Sequence, residues 1–179
     1  MRMESAGSSP STGQVVWNRV QGVLRLDPPV FAEIGADPSG VTQGLIVAAI
    51  AAAAANLWSG SLLVLAVPLY LLMAAGLAGL FSLVARMFAQ GMPRYPAWLA
   101  VTLFTTAPLA LGIIPVLGAP VGSLYMTVLQ FVAIRELGRV TAGEAIMVLL
   151  IVLIPATVLL VMLATAFGLA GLLAVLSEF

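Results

Sequence analysis

The chain has 179 residues, 62% of them hydrophobic and only 8% charged, with seven arginines balancing seven acids. Soluble domains run nearer one charged residue in four, which excludes a soluble globular enzyme, and disordered chains are poor in apolar residues. Cysteine, histidine and lysine are all absent, which excludes a disulfide scaffold, metal or haem sites on Cys or His ligands and His-based catalytic triads, and leaves no basic cluster for nucleic acid.

What remains is an all-α fold, a polytopic membrane helical bundle of five transmembrane helices preceded by short amphipathic or interfacial helices. Residues 1–14 read as a disordered polar tail, without the apolar run of a signal peptide. Residues 15–40 hold the short helices. In Val15–Leu26, the residues Val16, Trp17, Val20, Val23 and Leu24 recur at helical spacing, and Asn18, Arg19, Gln21 and Arg25 take the other face. Two placements suit this helix: in the membrane interface, where Trp17 beside arginines fits, or packed on the cytoplasmic ends of the bundle. Asp27 and Pro28 then supply an N-cap and a first-turn proline for a helix from Pro29 to about Ile34, ended by Gly35. Asp37-Pro38 repeats that start signal.

Residues 41–179 form the membrane domain, with spans expected at about 41–57, 62–87, 97–117, 120–134 and 145–174. The first is rich in alanine and ends at Trp58, where an interfacial tryptophan belongs. The second is long enough to tilt or to kink at Pro68. The charge-free run Ala97–Ile134 would be roughly 57 Å long as one helix, nearly twice a hydrocarbon core of about 30 Å. It must fold back, and the segment Pro115–Pro120 marks the turn; a re-entrant hairpin is the alternative for this pair. Arg135–Arg139 reads as a polar loop. Thr141 and Glu144 have capping-box spacing before the last helix, which Pro155 or Gly168 can bend.

Polar groups inside spans are the default functional candidates in a membrane protein. Asn56 is close enough to the outer interface to reach water. Ser82, Thr102, Thr105 and Thr106 can bond back to their own helices. Gln130 needs partners, and an interhelical hydrogen bond is the first expectation for it. Arg86 can reach headgroups or Glu144. Gly118 and Gly122 have close-contact spacing but straddle the expected turn, so a backbone bend is favoured there. Ala75-Gly76, Ala78-Gly79, Gly168 and Gly171 are the expected sites of tight helix packing. No catalytic, cofactor-binding or metal-binding residue is assigned.

Five spans place all seven arginines on one side: Arg2, Arg19 and Arg25 before the first, Arg86 and Arg94 between the second and third, Arg135 and Arg139 between the fourth and fifth. By the positive-inside rule the N-terminus is cytoplasmic and the C-terminus outside.

The segment Pro93–Gly118 (PRYPAWLAVTLFTTAPLALGIIPVLG) resembles the third span of bacterial Yip-domain proteins, with a basic-aromatic lead-in, a mid-span proline and an Ile-Pro-x-x-Gly end. Ile134–Ala145 (IRELGRVTAGEA) resembles the arginine-led loop of that family. The resemblance covers about Pro29 to Leu176 and implies a five-span protein of a bacterial cytoplasmic membrane. The acidic-Leu-Tyr-Gly-Pro motif that precedes the first span in eukaryotic members is replaced by Asp27-Pro28-Pro29-Val30-Phe31, so their Rab binding does not carry over. The expected function is non-enzymatic: a scaffold, accessory subunit or membrane-organising factor. Its partners would be the lipid bilayer and a membrane protein or second copy docked on Ala/Gly-rich helix faces, with no cofactor and no nucleic acid. A small transporter or channel is the alternative.

Overall fold

A computed structural model of the chain describes residues 11–88 and 93–176. All the regular structure among them is helical: α1 (Thr12–Leu24), α2 (Pro28–Ala36), α3 (Gly40–Ala55), α4 (Leu63–Ala85), α5 (Tyr95–Thr105), α6 (Gly118–Gly138) and α7 (Ala142–Leu176), with 3-10 segments at Leu57–Leu62 and Ala107–Ile113.

The first helix starts earlier than its apolar pattern. Ser11 is extended and its hydroxyl accepts from the Gln14 amide at 3.4 Å, so a cap within the polar stretch sets the start at Thr12. The rest of the expected tail, residues 1–10, lies outside the described residues. The face assignment of α1 is also corrected. Trp17 points outward and is 59% exposed, whereas Arg19 is buried beside Val23. A buried charge demands partners, and Arg19 has them.

The second helix begins at Pro28, with Asp27 at the cap position but making no side-chain cap bond. It runs past Gly35 to Ala36, because Phe31 and Ile34 are fully buried and tertiary packing outweighs a single helix-interior glycine. Asp37 then shapes the corner: its Oδ1 accepts from the Ser39 amide at 2.7 Å and the Ser39 hydroxyl at 2.8 Å. The chain bends by 117° between α2 and α3.

Gly40 and Gly44 sit four apart on the face of α3 that meets α5. A Cβ on Gly44 would stand 2.8 Å from Leu103 Cβ and 3.1 Å from the Ala100 carbonyl oxygen. The two backbones touch there and run parallel, since Ala55 at the far end of α3 packs on Gly112. The expected third span is broken: α5 stops at Thr105 and the chain continues as a 3-10 segment from Ala107. Pro108 has no amide hydrogen, and Thr105 and Thr106 donate to the carbonyls of Thr102 and Leu103 at 2.7 and 2.6 Å, which loosens the α ladder at that point.

Gly118 and Gly122 were expected to mark a bend. They are close contacts instead: a Cβ would lie 1.7 Å from the Leu111 carbonyl oxygen at Gly118 and 2.6 Å from that of Pro108 at Gly122. The turn therefore ends before Gly118, and α6 lays its first turns on the 3-10 segment. Conversely, a Cβ on Gly76 would meet nothing within 4 Å, and on Gly79 only the Tyr95 ring at 3.8 Å. Of the small residues expected to pack in α4, Ala78 is buried as expected, and Ala74 next to the expected set is buried too. The surroundings of Gly168 and Gly171 lie outside the described side chains.

Arg135–Gly138 is the last turn of α6 and not a loop; the helix ends at Arg139, which adopts left-handed backbone at φ 49°. Thr141 and Glu144 form the expected capping box. The Thr141 amide and hydroxyl donate to Glu144 Oε2 at 2.8 and 2.9 Å, and the Glu144 amide donates to the Thr141 hydroxyl at 3.4 Å. From this start α7 runs 35 residues with Pro155 inside it.

Two stretches among the described residues are long and apolar enough to cross a membrane, Leu63–Ala85 and Tyr95–Ile113, and α2 with α3 makes a third if the bent pair is one span.

Candidate functional site

The polar residues concentrate where α1, α2 and the start of α3 meet. Helix α1 folds back on α2, and Gly22 lets the Val30 side chain lie against its backbone. That antiparallel approach brings Arg19 to Glu33. Arg19 Nε and Nη2 donate to Glu33 Oε1 at 3.1 and 2.9 Å. Its Nη1 donates to Gln43 Oε1 at 2.6 Å and stands 2.6 Å from Asp37 Oδ2. Gln43 Nε2 in turn donates to the Ser39 hydroxyl at 2.8 Å. One guanidinium thus ties three helices together.

The charges respond to this arrangement. Burial pulls the Arg19 guanidinium down, but its hydrogen bonds to Glu33 and Asp37 and their charges outweigh that, and it is held above the ordinary arginine value. Asp37 is held below the ordinary carboxylate value, first by the Ser39 amide, then by the Ser39 hydroxyl and Arg19. Glu144 is lowered as well, by the Thr141 amide and then its hydroxyl.

Two hollows flank the junction. A cleft of about 390 Å³ lies between the α2–α3 corner and the start of α5, lined among others by Asp37, Val41, Arg94 and Ala97. A second, of about 280 Å³, lies between α1 and α2, against Val15, Asn18, Arg19, Val30 and Glu33. Among the described residues no three acidic side chains converge to hold a metal ion.

The residues weighed from sequence fall elsewhere. Asn56 donates to the Ala52 carbonyl at 2.9 Å. Ser82 and Thr102 are buried, and Thr105 and Thr106 bond back as expected. Gln130 is buried, but its Nε2 has no hydrogen-bond partner, which corrects the expected interhelical bond. The Trp98 indole nitrogen on α5 is unpartnered as well. Trp98 is fixed in place by stacking on Phe81, with centroids 6.5 Å apart. Arg86 is exposed and makes no pair with Glu144, whose carboxylate is committed to Thr141.

Sequence reading missed the Arg19 junction. The available signal was the spacing of charges in the two short helices: Arg19 and Glu33 lie on either side of an Asp-Pro turn, which an antiparallel hairpin must bring together. In comparisons with known proteins, no family model, no curated protein and no solved structure matches the chain.

Proposed function

We propose that the chain is a multi-pass membrane protein of five spans, with its N-terminus inside, that works through protein and lipid contacts and has no catalytic centre of its own. The observation that carries this reading is the outer surface of α4 and α7. Val64, Leu65, Leu69, Leu72, Met73, Leu80 and Leu83 on α4 are exposed, as are Ile146, Met147, Leu150, Ile151, Ile154 and Val158 on α7. An apolar surface of this extent on two long helices is suited to acyl chains and not to water.

In this reading α3, α4, α5 with its 3-10 continuation, α6 and α7 are the five spans. The one-sided arginines support the orientation. The absence of histidine, cysteine and lysine from the sequence and the short loops between spans support a scaffold, accessory subunit or membrane-organising role, with a membrane-protein partner or second copy. The test is cysteine labelling from each side at Ser9 and Ser177, combined with crosslinking and mass spectrometry from native membranes. Labels on opposite sides and a fixed crosslinked partner are expected; labels on the same side overturn the odd number of spans.

A small transporter is the second reading, and the break at Thr106–Ala107 favours it. Transporter sites are built at such discontinuities, where unwound backbone lines a cavity. A reconstituted chain that dissipates an ion gradient without a partner would favour it over the scaffold.

A further inference from the structure

We propose that the outward face of the α1–α2 hairpin borders a water-filled recess, entered from the inner side and running along the hairpin to its turn at Arg25–Asp27. This rests on the membrane reading above. The hairpin does not cap the ends of the spans. It lies alongside them: α1 packs on α5 and also on the 3-10 segment Ala107–Ile113 beyond it. Its end is tied there, because the Tyr125 hydroxyl donates to the Leu24 carbonyl, and Tyr125 is nearer Gly118 than Gly138 on α6. The inward face is apolar, with Val23 and Phe31 in the same core as Trp98 and Leu129.

The outward face carries Trp17 but is not uniformly apolar. Asn18, Arg25, Asp27 and Glu33 are exposed on it. Arg25 and Asp27 stand at the turn, the part inserted furthest along the spans, and neither makes an ion pair among the described residues. Acyl chains cannot solvate such groups, so charged side chains at membrane depth face a partner or a water-filled cavity. The hollow of about 280 Å³ between α1 and α2 supplies the second observation. It opens beside Asn18, Arg19 and Glu33, with Val15 and Val30 completing its walls, so a hollow that polar side chains border is already built into the hairpin. The recess thus admits water and small hydrophilic solutes from the inner compartment along the outer side of the hairpin, while the exposed faces of α4 and α7 take lipid.

The chain has no cysteine, so single replacements report without background. Asn18→Cys, Arg25→Cys and Ala32→Cys probe the hairpin face, and Leu72→Cys and Leu150→Cys probe the faces assigned to lipid. A charged, membrane-impermeant thiol reagent is applied to inside-out vesicles. The hairpin sites should react within about tenfold of a cysteine at Ser9, and the two leucine sites about a hundredfold more slowly. A second label, a permeant bimane, is read against brominated acyl chains and should be quenched only at the leucine sites. Quenching at the hairpin sites overturns the recess. Silence there to both probes overturns it as well, and shows the face covered by protein. Fast reaction at Leu72→Cys and Leu150→Cys would instead sink the membrane reading. Asn18 and Ala32 are exposed and uncharged, so their variants keep the fold should Arg25→Cys lose it.

Discussion

Helix α4 and the stretch Tyr95–Ile113 are both apolar enough to cross a membrane, yet they are used in opposite ways. Only 11% of the apolar window of α4 is buried within the protein, against 56% for Tyr95–Ile113. The more apolar of the two is the less buried. In a water-soluble protein that order would be inverted. In a bilayer, lipid tails are as apolar as leucine, so hydrophobicity does not choose which helix sits at the centre. What chooses it is how closely backbones can approach. The central stretch is flanked by glycines on its neighbours, Gly40 and Gly44 on α3 and Gly118 and Gly122 on α6, whereas Gly76 on α4 faces open space.

The strongest way to break this contrast is to add side chains at the close approaches. Gly118→Ala places a methyl carbon 1.7 Å from a backbone carbonyl oxygen that cannot move aside. It should destabilise by at least about 3 kcal/mol, the upper end of the overpacking range, and largely abolish monodisperse protein in detergent. Gly44→Leu should behave alike, since both neighbours at that point belong to α5. Size-exclusion profiles after heating measure it; a Gly118→Ala protein that elutes and melts as the parent does would remove the close-packed seam from the argument.

Those glycines also mark where sequence reading worked and where it failed. The helix starts at Pro28 and at the Thr141–Glu144 box were legible because they depend on neighbours within one turn. The helical class and the positions of the apolar runs were legible from composition. Gly118 and Gly122 were misread because the spacing that brings two helices together also occurs at a bend, and only the position of Leu111 and Pro108 decides between them. The seam at Gly40 and Gly44 was passed over for the same reason. Arg19 was placed on the wet face because periodicity counts it as polar; its burial follows from Glu33, Asp37 and Gln43, which no local pattern connects.

The Arg19 junction offers a second contrast, between an ion cluster that is enclosed and one that is not. Arg19→Met removes the charge and the donor to Gln43 Oε1 and Asp37 Oδ2, while Ser39 still donates to Asp37 Oδ1. Broken buried pairs are costly, but the Glu33 side chain is more than half exposed and regains water, so about 2–3 kcal/mol is expected. Arg135 pairs with the adjacent Glu136 on an exposed turn, and Arg135→Met should change stability by less than about 1 kcal/mol. The loss at Arg19 should appear as protease cleavage within α1 before the spans unfold. Equal losses for the two variants would show that enclosure adds nothing.

Acid should act on the same junction. The Asp37 carboxyl is held below its ordinary value of 3.8 in the folded chain. Its contribution is therefore present above that value and is lost as the pH falls through the lowered one. A dye at Asn18→Cys should report a docked hairpin from neutral pH to the ordinary carboxylate range, then progressive release below it. Asp37→Asn should weaken docking at neutral pH and flatten the acid limb. Glu144, lowered by Thr141, titrates in the same direction but at the start of α7, where the dye does not respond.

A smaller effect is expected from Tyr125→Phe, which removes the hydroxyl that donates to the Leu24 carbonyl. One neutral hydrogen bond contributes about 1 kcal/mol. Because Tyr125 is only half-buried, the freed carbonyl can regain water if the recess exists. The variant should then loosen the end of α1 by about that amount and leave the spans unchanged, as amide exchange at Val23 to Leu26 would measure. A loss several times larger would mean that the carbonyl has no access to water.

The smallest expected change is at Gly76, and it has the opposite sign. Nothing stands within 4 Å of an added Cβ, and the residue is exposed in the middle of α4. Replacing a helix-interior glycine by alanine removes the conformational entropy that glycine loses on folding and gains about 0.5–1 kcal/mol. Gly76→Ala should therefore raise the melting temperature of the chain in dilute detergent, where Gly44→Leu lowers it. In a bilayer the same position tests the proposed Ala/Gly-rich docking face, because a second helix seated on Gly76 would collide with any larger side chain. Because Leu72 and Leu80 on the same face of α4 are assigned to lipid, Gly76→Leu should keep both its stability in detergent and its crosslinks to a partner in membranes. Crosslinks lost in Gly76→Leu would instead place α4 in the docking surface and take its exposed leucines away from lipid.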